Sequence, residues 1–134
     1  MASIFTRILS GEIPCHKVAE DDRCFSFLDI RPIVYGHTLV IPKTEVDYYF
    51  DLDDDYLSHL NVFAKKVAKA LEQEVDCLRI GVMIAGLEVP HAHIHLVPMQ
   101  AISDLSFANP RVTLSNEEMA ELADRISQRF KEAE

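Results

Sequence analysis

Apolar residues recur at helical spacing in the middle of the chain and at its start. From roughly Leu52 to Glu74 they follow one another at intervals of three or four, which predicts a long helix. The residues of this stripe are Tyr56, Leu60, Phe63, Val67 and Leu71. A short helix is predicted to begin at Ser3 as its N-cap and to run through Leu9, with Gly11 just beyond its end.

The C-terminal part contains a third helical pattern. Ser115 and Glu118 have the spacing of a capping box, so the last helix is predicted to begin there. Its apolar stripe consists of Met119, Leu122, Ile126 and Phe130. This stripe is typical of a helix that packs against the rest of a domain.

Short β-rich segments fill the intervals between the predicted helices. In sequence order they are HKVAED, CFSFLD, HTLVIP, CLRIGVMIAG and HAHIHLVP. Phe25 and Phe27 fall on one face of the second segment, which is the period of a strand. The order is helix, three strands, helix, two strands, helix. Strands that cluster and are joined by short turns favour an antiparallel α+β domain.

Composition narrows the class of protein. The 134 residues fit one domain, residues 1–134, and 49% of them are hydrophobic. A net charge of -9 argues against a general nucleic-acid binder, which needs a basic surface. No apolar run reaches the roughly 18 residues that span a bilayer. The start lacks the pattern of a signal peptide, so we expect a cytoplasmic protein that does not bind membranes.

Half of the histidines lie in the segment PHAHIHLVP. On a strand, His91, His93 and His95 would share one face, and Ala92, Ile94 and Leu96 would face the core. Such a row could be a polar strand face, a metal site with an open position for water, or a site of nucleophilic catalysis on phosphorus. Just upstream, Gly86 would let a backbone amide approach a phosphate.

The motif and its context resemble the histidine triad superfamily. The motif His-φ-His-φ-His-φ-φ, with φ hydrophobic, spans residues 91–97. The segments IFTRILSGEIP, EDDRCFSFLDIRP and GHTLVIPK resemble the N-terminal half of the family in order and spacing. The similarity covers about Ile4 to Val97, with residues 99–134 outside it, and points to the Hint-like or bacterial branch of nucleotide phosphoramidases.

This resemblance implies a fold and a reaction. Members have a five-stranded antiparallel sheet and pair as homodimers with a ten-stranded sheet. They bind AMP-type purine nucleotides and cleave at the α-phosphate without a metal or other cofactor. His93 would be the nucleophile, His95 would contact the phosphate and assist the leaving group, His91 would orient the site, and His37 would support the cluster.

The resemblance also implies a substrate pocket. Asp29 would accept hydrogen bonds from the ribose hydroxyls, and Gly86 and Glu88 would lie near the phosphate and its leaving group. The expected base pocket is apolar and consists of Ile4, Phe5, Ile8, Phe27, Leu28 and Ile30.

Three features depart from the family pattern. Leu87 replaces a usual polar residue, Glu88 replaces a frequent Ser or Thr, and the loop before Gly86 is expected to be short and to lack a phosphate-contacting Asn. Ser3 and Thr6 occupy the positions of a zinc-binding CxxC found in many relatives, so no structural zinc is expected.

The expected function is hydrolysis of nucleoside phosphoramidates or related nucleotide conjugates through a covalent nucleotidyl-histidine. Three alternatives stay open at this point: a weakly active or non-catalytic nucleotide-binding protein, a dinucleoside polyphosphate hydrolase, and a metalloenzyme with histidine ligands.

Overall fold

A computed structural model describes residues 2–133 and has the expected order of elements. The helices are α1 (Ile4–Leu9), α2 (Asp54–Glu74) and α3 (Asn116–Glu132). The strands are β1 (Lys17–Glu20), β2 (Cys24–Leu28), β3 (Thr38–Pro42), β4 (Arg79–Met83) and β5 (Ile94–Met99). Two single 3-10 turns, Tyr49–Asp51 and Ile102–Asp104, lie in the connections.

Side-chain caps explain where the helices begin. Ser3 Oγ accepts a hydrogen bond from the Thr6 amide, which begins α1. Asp53 does the same for the Tyr56 amide, so α2 begins at Asp54 and not at Leu52 as the apolar pattern predicted. The predicted capping box of Ser115 and Glu118 begins α3.

The five strands form one antiparallel sheet in the order β1-β2-β3-β5-β4, which confirms the predicted α+β fold. The triad segment therefore enters the sheet between β3 and β4. Strand β4 lies at one edge of the sheet, and its Val82 side chain is 56% exposed.

The two faces of the sheet pack differently. One face carries the main hydrophobic core, in which α2 and α3 bury residues such as Leu60 and Ile126 against β-strand residues such as Ile94 and Leu96. The other face carries a smaller cluster of Phe5, Phe25, Phe27, Leu39 and Ile41. Alternation along β3 divides Val40 from Leu39 and Ile41, as expected for a strand that is buried on both sides.

Three predictions from the sequence are wrong. Strand β5 begins at Ile94, so His91 and His93 lie in the segment that leads into it. Strand β4 ends at Met83, and Gly86, whose φ is 82°, lies in the following loop. Leu28 is packed in the main core, on the face opposite Phe27, and therefore does not line a base pocket with that ring.

Within residues 2–133, no helix is both long enough and apolar enough to cross a membrane.

Candidate active site

Four histidines meet at the ends of the central strands. His37 directly precedes β3, His95 lies on β5, and His91 and His93 lead into β5. All four are buried, with His93 and His95 only 5% and 7% exposed. The rings of His93 and His95 are 4.8 Å apart between centroids, and those of His37 and His95 are 5.2 Å apart. The structure thus brings together the four predicted histidines.

Hydrogen bonds define the tautomers of His37 and His95. The Ile33 amide donates to His37 Nδ1 at 3.0 Å, so this nitrogen carries no proton and Nε2 does. His37 Nε2 is 2.9 Å from His95 Nδ1 and donates to it. His95 therefore accepts at Nδ1 and keeps its own proton on Nε2. The backbone of Ile33 thus makes His95 Nε2 a hydrogen-bond donor.

The tautomers of His91 and His93 follow from backbone carbonyls. His91 Nε2 lies 2.9 Å from the Pro42 carbonyl oxygen, and His93 Nδ1 lies 2.7 Å from the His91 carbonyl oxygen. A carbonyl only accepts, so both nitrogens carry protons. His93 Nε2 is consequently left with a free lone pair, which is the property of a nucleophile.

Burial keeps the four rings neutral. Desolvation lowers the pKa of His95 to about 3, and the neighbouring His93 and His37 add to this effect. Desolvation likewise lowers the pKa of His37 to about 4, against an opposing effect of Asp29. The pKa values of His91 and His93 are also lowered by burial. Neutral imidazoles at pH 7 can offer a lone pair at His93 and a hydrogen-bond donor at His95.

A network of hydrogen bonds joins helix α1 to the triad. Ser3 Oγ is 2.9 Å from His91 Nδ1 and donates to it, because His91 carries its proton on Nε2. The Ser3 amide and Thr6 Oγ1 each donate to Glu45 Oε1 at 2.6 Å. The hydrogen bond from the Ser3 amide is the main reason that the pKa of Glu45 falls to about 2. These contacts fix α1 beside His91.

Part of the expected base pocket surrounds the triad. The Phe5 ring lies 5.0 Å from His93 and 5.5 Å from Phe27, and Ile8 packs against the same cluster. Ile4 and Ile30 are 47% and 70% exposed and lie outside this cluster, so their substrate contacts stay a prediction.

Asp29 lies at the edge of the histidine cluster. Its Oδ1 accepts from the Arg31 amide at 2.8 Å, which holds the carboxylate in place. Its Oδ2 is 3.7 Å from His37 Nδ1, but that nitrogen is an acceptor, so the two atoms share no proton. Oδ2 is therefore available to accept from a ligand hydroxyl.

The loop after β4 forms one wall of a cavity of about 140 Å³ in front of the triad. Its lining includes Gly86, Leu87, Glu88, His93 and His95. Gly86 and Glu88, the two loop residues predicted to lie near the phosphate, are therefore both at the site. Phe107 also lines this cavity, and the centroid of its ring lies 4.9 Å from that of His95.

The sequence reasoning missed several residues of the site. Glu45 and Phe107 lie in loops, 46 residues before His91 and 12 after His95 along the chain. Loop residues follow no period that predicts where their side chains point. Ser3 was predicted as a helix cap, but its contact with His91 joins residues 88 positions apart and leaves no local signal.

Two groups of side chains have the spacing of metal ligands: Asp21 with Cys24 and His59, and Asp29 with His37 and His95. In the first group, Asp21 already accepts from the Arg23 and Cys24 amides and lies 2.7 Å from His59. In the second, the nitrogens of His37 are occupied by Ile33 and His95. Both nitrogens of His37 therefore already have hydrogen-bond partners, and neither is left to bind a metal ion.

Comparison with known proteins establishes the family to which this chain belongs. The HIT domain model matches residues 10–102, and the chain belongs to the HIT family. The chain is similar to the adenosine 5'-monophosphoramidase of Schizosaccharomyces pombe, with 36% identity over 133 residues that cover 98% of this chain and 100% of that protein.

Solved structures of HIT proteins have the same fold. A HIT-like protein involved in cell-cycle regulation from Bartonella henselae is 30% identical, with a TM-score of 0.82 and 95% of each chain covered. A zinc-bound histidine triad family protein from Mycobacterium smegmatis is 29% identical, with a TM-score of 0.83 over 100% of this chain and 99% of that chain.

The residues of this chain do not fit a thiolate zinc site at α1. Ser3 and Thr6 offer neutral hydroxyls, whereas structural zinc is bound by thiolates, imidazoles and carboxylates. Both hydroxyls are already hydrogen-bonded, Ser3 to His91 and Thr6 to Glu45. The absence of a structural zinc stays a prediction, and the hydroxyl network supports it.

Proposed function

We propose that this protein is a HIT-type nucleotide hydrolase that cleaves adenosine phosphoramidates or related nucleotide conjugates at the α-phosphate. The observation that carries the proposal is the pair of opposite tautomers: His93 Nε2 has a free lone pair beside a His95 Nε2 that carries a proton. The similarity to a phosphoramidase over nearly the whole chain supports the same reaction.

The first half of the reaction forms a covalent intermediate. His93 Nε2 attacks the α-phosphorus, a P–N bond to His93 forms, and the P–N bond to the leaving amine breaks. The leaving nitrogen takes one proton from solvent and departs as a neutral amine, while the His95 Nε2–H donates a hydrogen bond to the phosphoryl group. The His91 carbonyl, which accepts from His93 Nδ1, stabilises the positive charge that develops on the His93 ring.

The second half releases the nucleotide. A water molecule attacks the phosphorus and releases one proton to solvent, and the bond from phosphorus to His93 Nε2 breaks. The products are a nucleoside monophosphate and the histidines in their starting tautomers. Asp29 Oδ2 would hold the ribose, and the aromatic pair of Phe5 and Phe27 would form the wall beside the base.

Turnover of adenosine 5'-phosphoramidate tests this function. We expect AMP release by the wild type and a loss of at least about a thousandfold in kcat for His93→Ala, because the nucleophile is removed. His16→Ala is the matched control, since His16 is a partly buried histidine outside the cluster, and it should keep wild-type turnover. Full activity in His93→Ala would contradict the mechanism.

A weaker alternative is a nucleotide-binding protein with negligible turnover. The exposed Leu87, which is 96% accessible, and Glu88 line the leaving-group side of the cavity without offering a phosphate donor from their side chains. AMP binding without AMP release from the phosphoramidate would favour this alternative.

We also propose that two copies pair through the β4 edge. Val82 on β4 and Val62 on α2 are 56% and 55% exposed, and Ile84 after the strand is 41% exposed. An open strand edge with apolar neighbours is suited to pairing with a second copy. Sedimentation should give a dimer for the wild type and for the control Ala120→Glu on α3, and a monomer for Val82→Glu. A dimer in all three would overturn this mode of pairing.

A further inference from the structure

The segment after β5 turns back across the triad. Residues 100–112, here termed the strap, begin with Gln100 Nε2 donating to the Asp76 carbonyl at 2.9 Å and end with the Val112 amide donating to the Pro32 carbonyl at 2.8 Å. Between these ends, the Phe107 ring packs at 4.9 Å and 65° against His95. The strap is therefore attached at both ends and contacts the site in its middle.

The strap carries one cation to the site. The Arg111 guanidinium lies 5.9 Å from the centre of the Phe107 ring, and its Nη1 donates to the Arg31 carbonyl at 3.0 Å. Within residues 2–133 no carboxylate lies within 4.0 Å of Arg111, which distinguishes it from Arg7, Arg23, Arg125 and Arg129. One hydrogen bond to a carbonyl leaves most of the five guanidinium N–H donors free.

Among the described residues, the carboxylates that act on the four buried histidines outnumber the cations. The histidines of the triad and His37 are neutral, and the acids near His93 are Asp29 and Glu88. Arg111 is the cation that acts on both His37 and His95 and helps to lower their pKa values. A phosphate entering a site with two nearby carboxylates, on a chain of net charge -9, requires a compensating cation.

We infer that Arg111 binds the phosphate of the nucleotide, held in place by its contacts with Phe107 and Arg31. A guanidinium suits this role because it stays charged and donates two parallel hydrogen bonds to phosphate oxygens. The inference deepens the proposed function, since it needs a nucleotide in the site. It does not need turnover.

Comparing AMP with adenosine isolates the phosphate contact. By calorimetry, the wild type should bind AMP at least about tenfold more tightly than adenosine, as expected for one charge-assisted phosphate contact. Arg111→Gln should remove most of that preference and leave adenosine affinity unchanged. The matched control is Arg79→Gln on β4, an exposed arginine that also forms no ion pair within residues 2–133, and it should keep the wild-type preference.

The outcomes separate this inference from the proposed function. If the wild type binds AMP with a preference over adenosine and Arg111→Gln keeps that preference, the role of Arg111 is overturned while the function stands. If the wild type binds no AMP, both fail. Arg111→Lys retains the charge but not the two parallel donors, so its preference for AMP should lie between those of the wild type and Arg111→Gln. If Arg111→Lys loses as much of the preference for AMP as Arg111→Gln does, Arg111 holds the strap in place and does not bind the phosphate. That result would overturn the inference.

A measurement on the wild type avoids any variant that fails to fold. Phenylglyoxal modifies accessible arginines, and peptide mass spectrometry reports each position. AMP should protect Arg111 and adenosine should not, while Arg79 is modified equally in both. Equal modification of Arg111 with and without AMP would contradict the inference.

Discussion

The two faces of the sheet are buried by different means. On the helix-covered face, α2 and α3 pack apolar side chains such as Leu60 and Leu122, which are 0% exposed. On the triad face, four buried imidazoles are held by an ordered chain of hydrogen bonds beside a small aromatic cluster. The first face provides stability that is insensitive to protonation. The second holds groups whose charge state decides whether they can react and stay buried.

Truncation in the helix-covered core should produce the largest loss of stability. Leu60→Ala removes a fully buried side chain and should lower the free energy of unfolding by about 2–5 kcal/mol. Denaturant unfolding measures this loss. The folded fraction should still bind AMP with wild-type affinity, because Leu60 lies on the face opposite the triad. A specific loss of AMP affinity in well-folded Leu60→Ala would show that the two faces are coupled.

Acid should weaken the triad face selectively. The pKa values of the four histidines are lower in the folded protein than in the unfolded chain, so the unfolded chain binds protons first as the pH falls. Their contribution is fully present above about pH 6.5, the ordinary histidine value, and is lost as the pH falls through the unfolded pKa toward the folded values. Each histidine that stays neutral in the folded protein should lower the free energy of unfolding by on the order of 2 kcal/mol between pH 7 and pH 5.

Substitution of His37 provides the control for this pH effect. His37→Gln keeps an amide in place of a titrating ring, so the fall between pH 7 and pH 5 should become shallower. An unchanged pH slope in His37→Gln would contradict the assignment of a neutral buried His37. The acid limb of kcat/KM should also lie below pH 6.5, because burial keeps His93 unprotonated to lower pH.

The link between α1 and the triad should give the smallest effect. Ser3→Ala removes both the cap of α1 and the donor to His91 Nδ1, and should cost about 1 kcal/mol of stability. The melting temperature measures this change. Ser10→Ala, at the other end of the same helix and exposed, should be close to neutral. If Ser3→Ala and Ser10→Ala lower the melting temperature equally, the contact between Ser3 and His91 contributes nothing to stability.

Local signals predicted most of the fold. Ser3 and the Ser115–Glu118 pair identified helix starts, because a cap is a contact within one turn. The alternation around the triad correctly placed Ala92, Ile94 and Leu96 in the core. The same alternation predicts a start of β5 that is too early. Histidines and apolar residues alternate from His91 onward, but the backbone begins to pair with neighbouring strands only at Ile94.

Long-range contacts explain what the sequence could not predict. Leu28 was placed in the pocket with Phe27, but neighbouring strand residues point to opposite faces. The donor that sets the tautomer of His37 is the backbone of Ile33, and backbone groups carry no residue signature. Arg111 reaches the site only because the strap returns to Pro32, a contact between residues 80 apart.

Nucleophilic catalysis by His93 is tested most directly by the mass of the intact protein after a brief pulse with adenosine 5'-phosphoramidate and an acid-free quench. We expect a transient adduct of one adenylyl group on the wild type, mapped to His93 and absent from His93→Ala, with the His16→Ala control labelled like the wild type. Turnover with no adduct on rapid quenching, or an adduct that persists in His93→Ala, would contradict nucleophilic catalysis by His93.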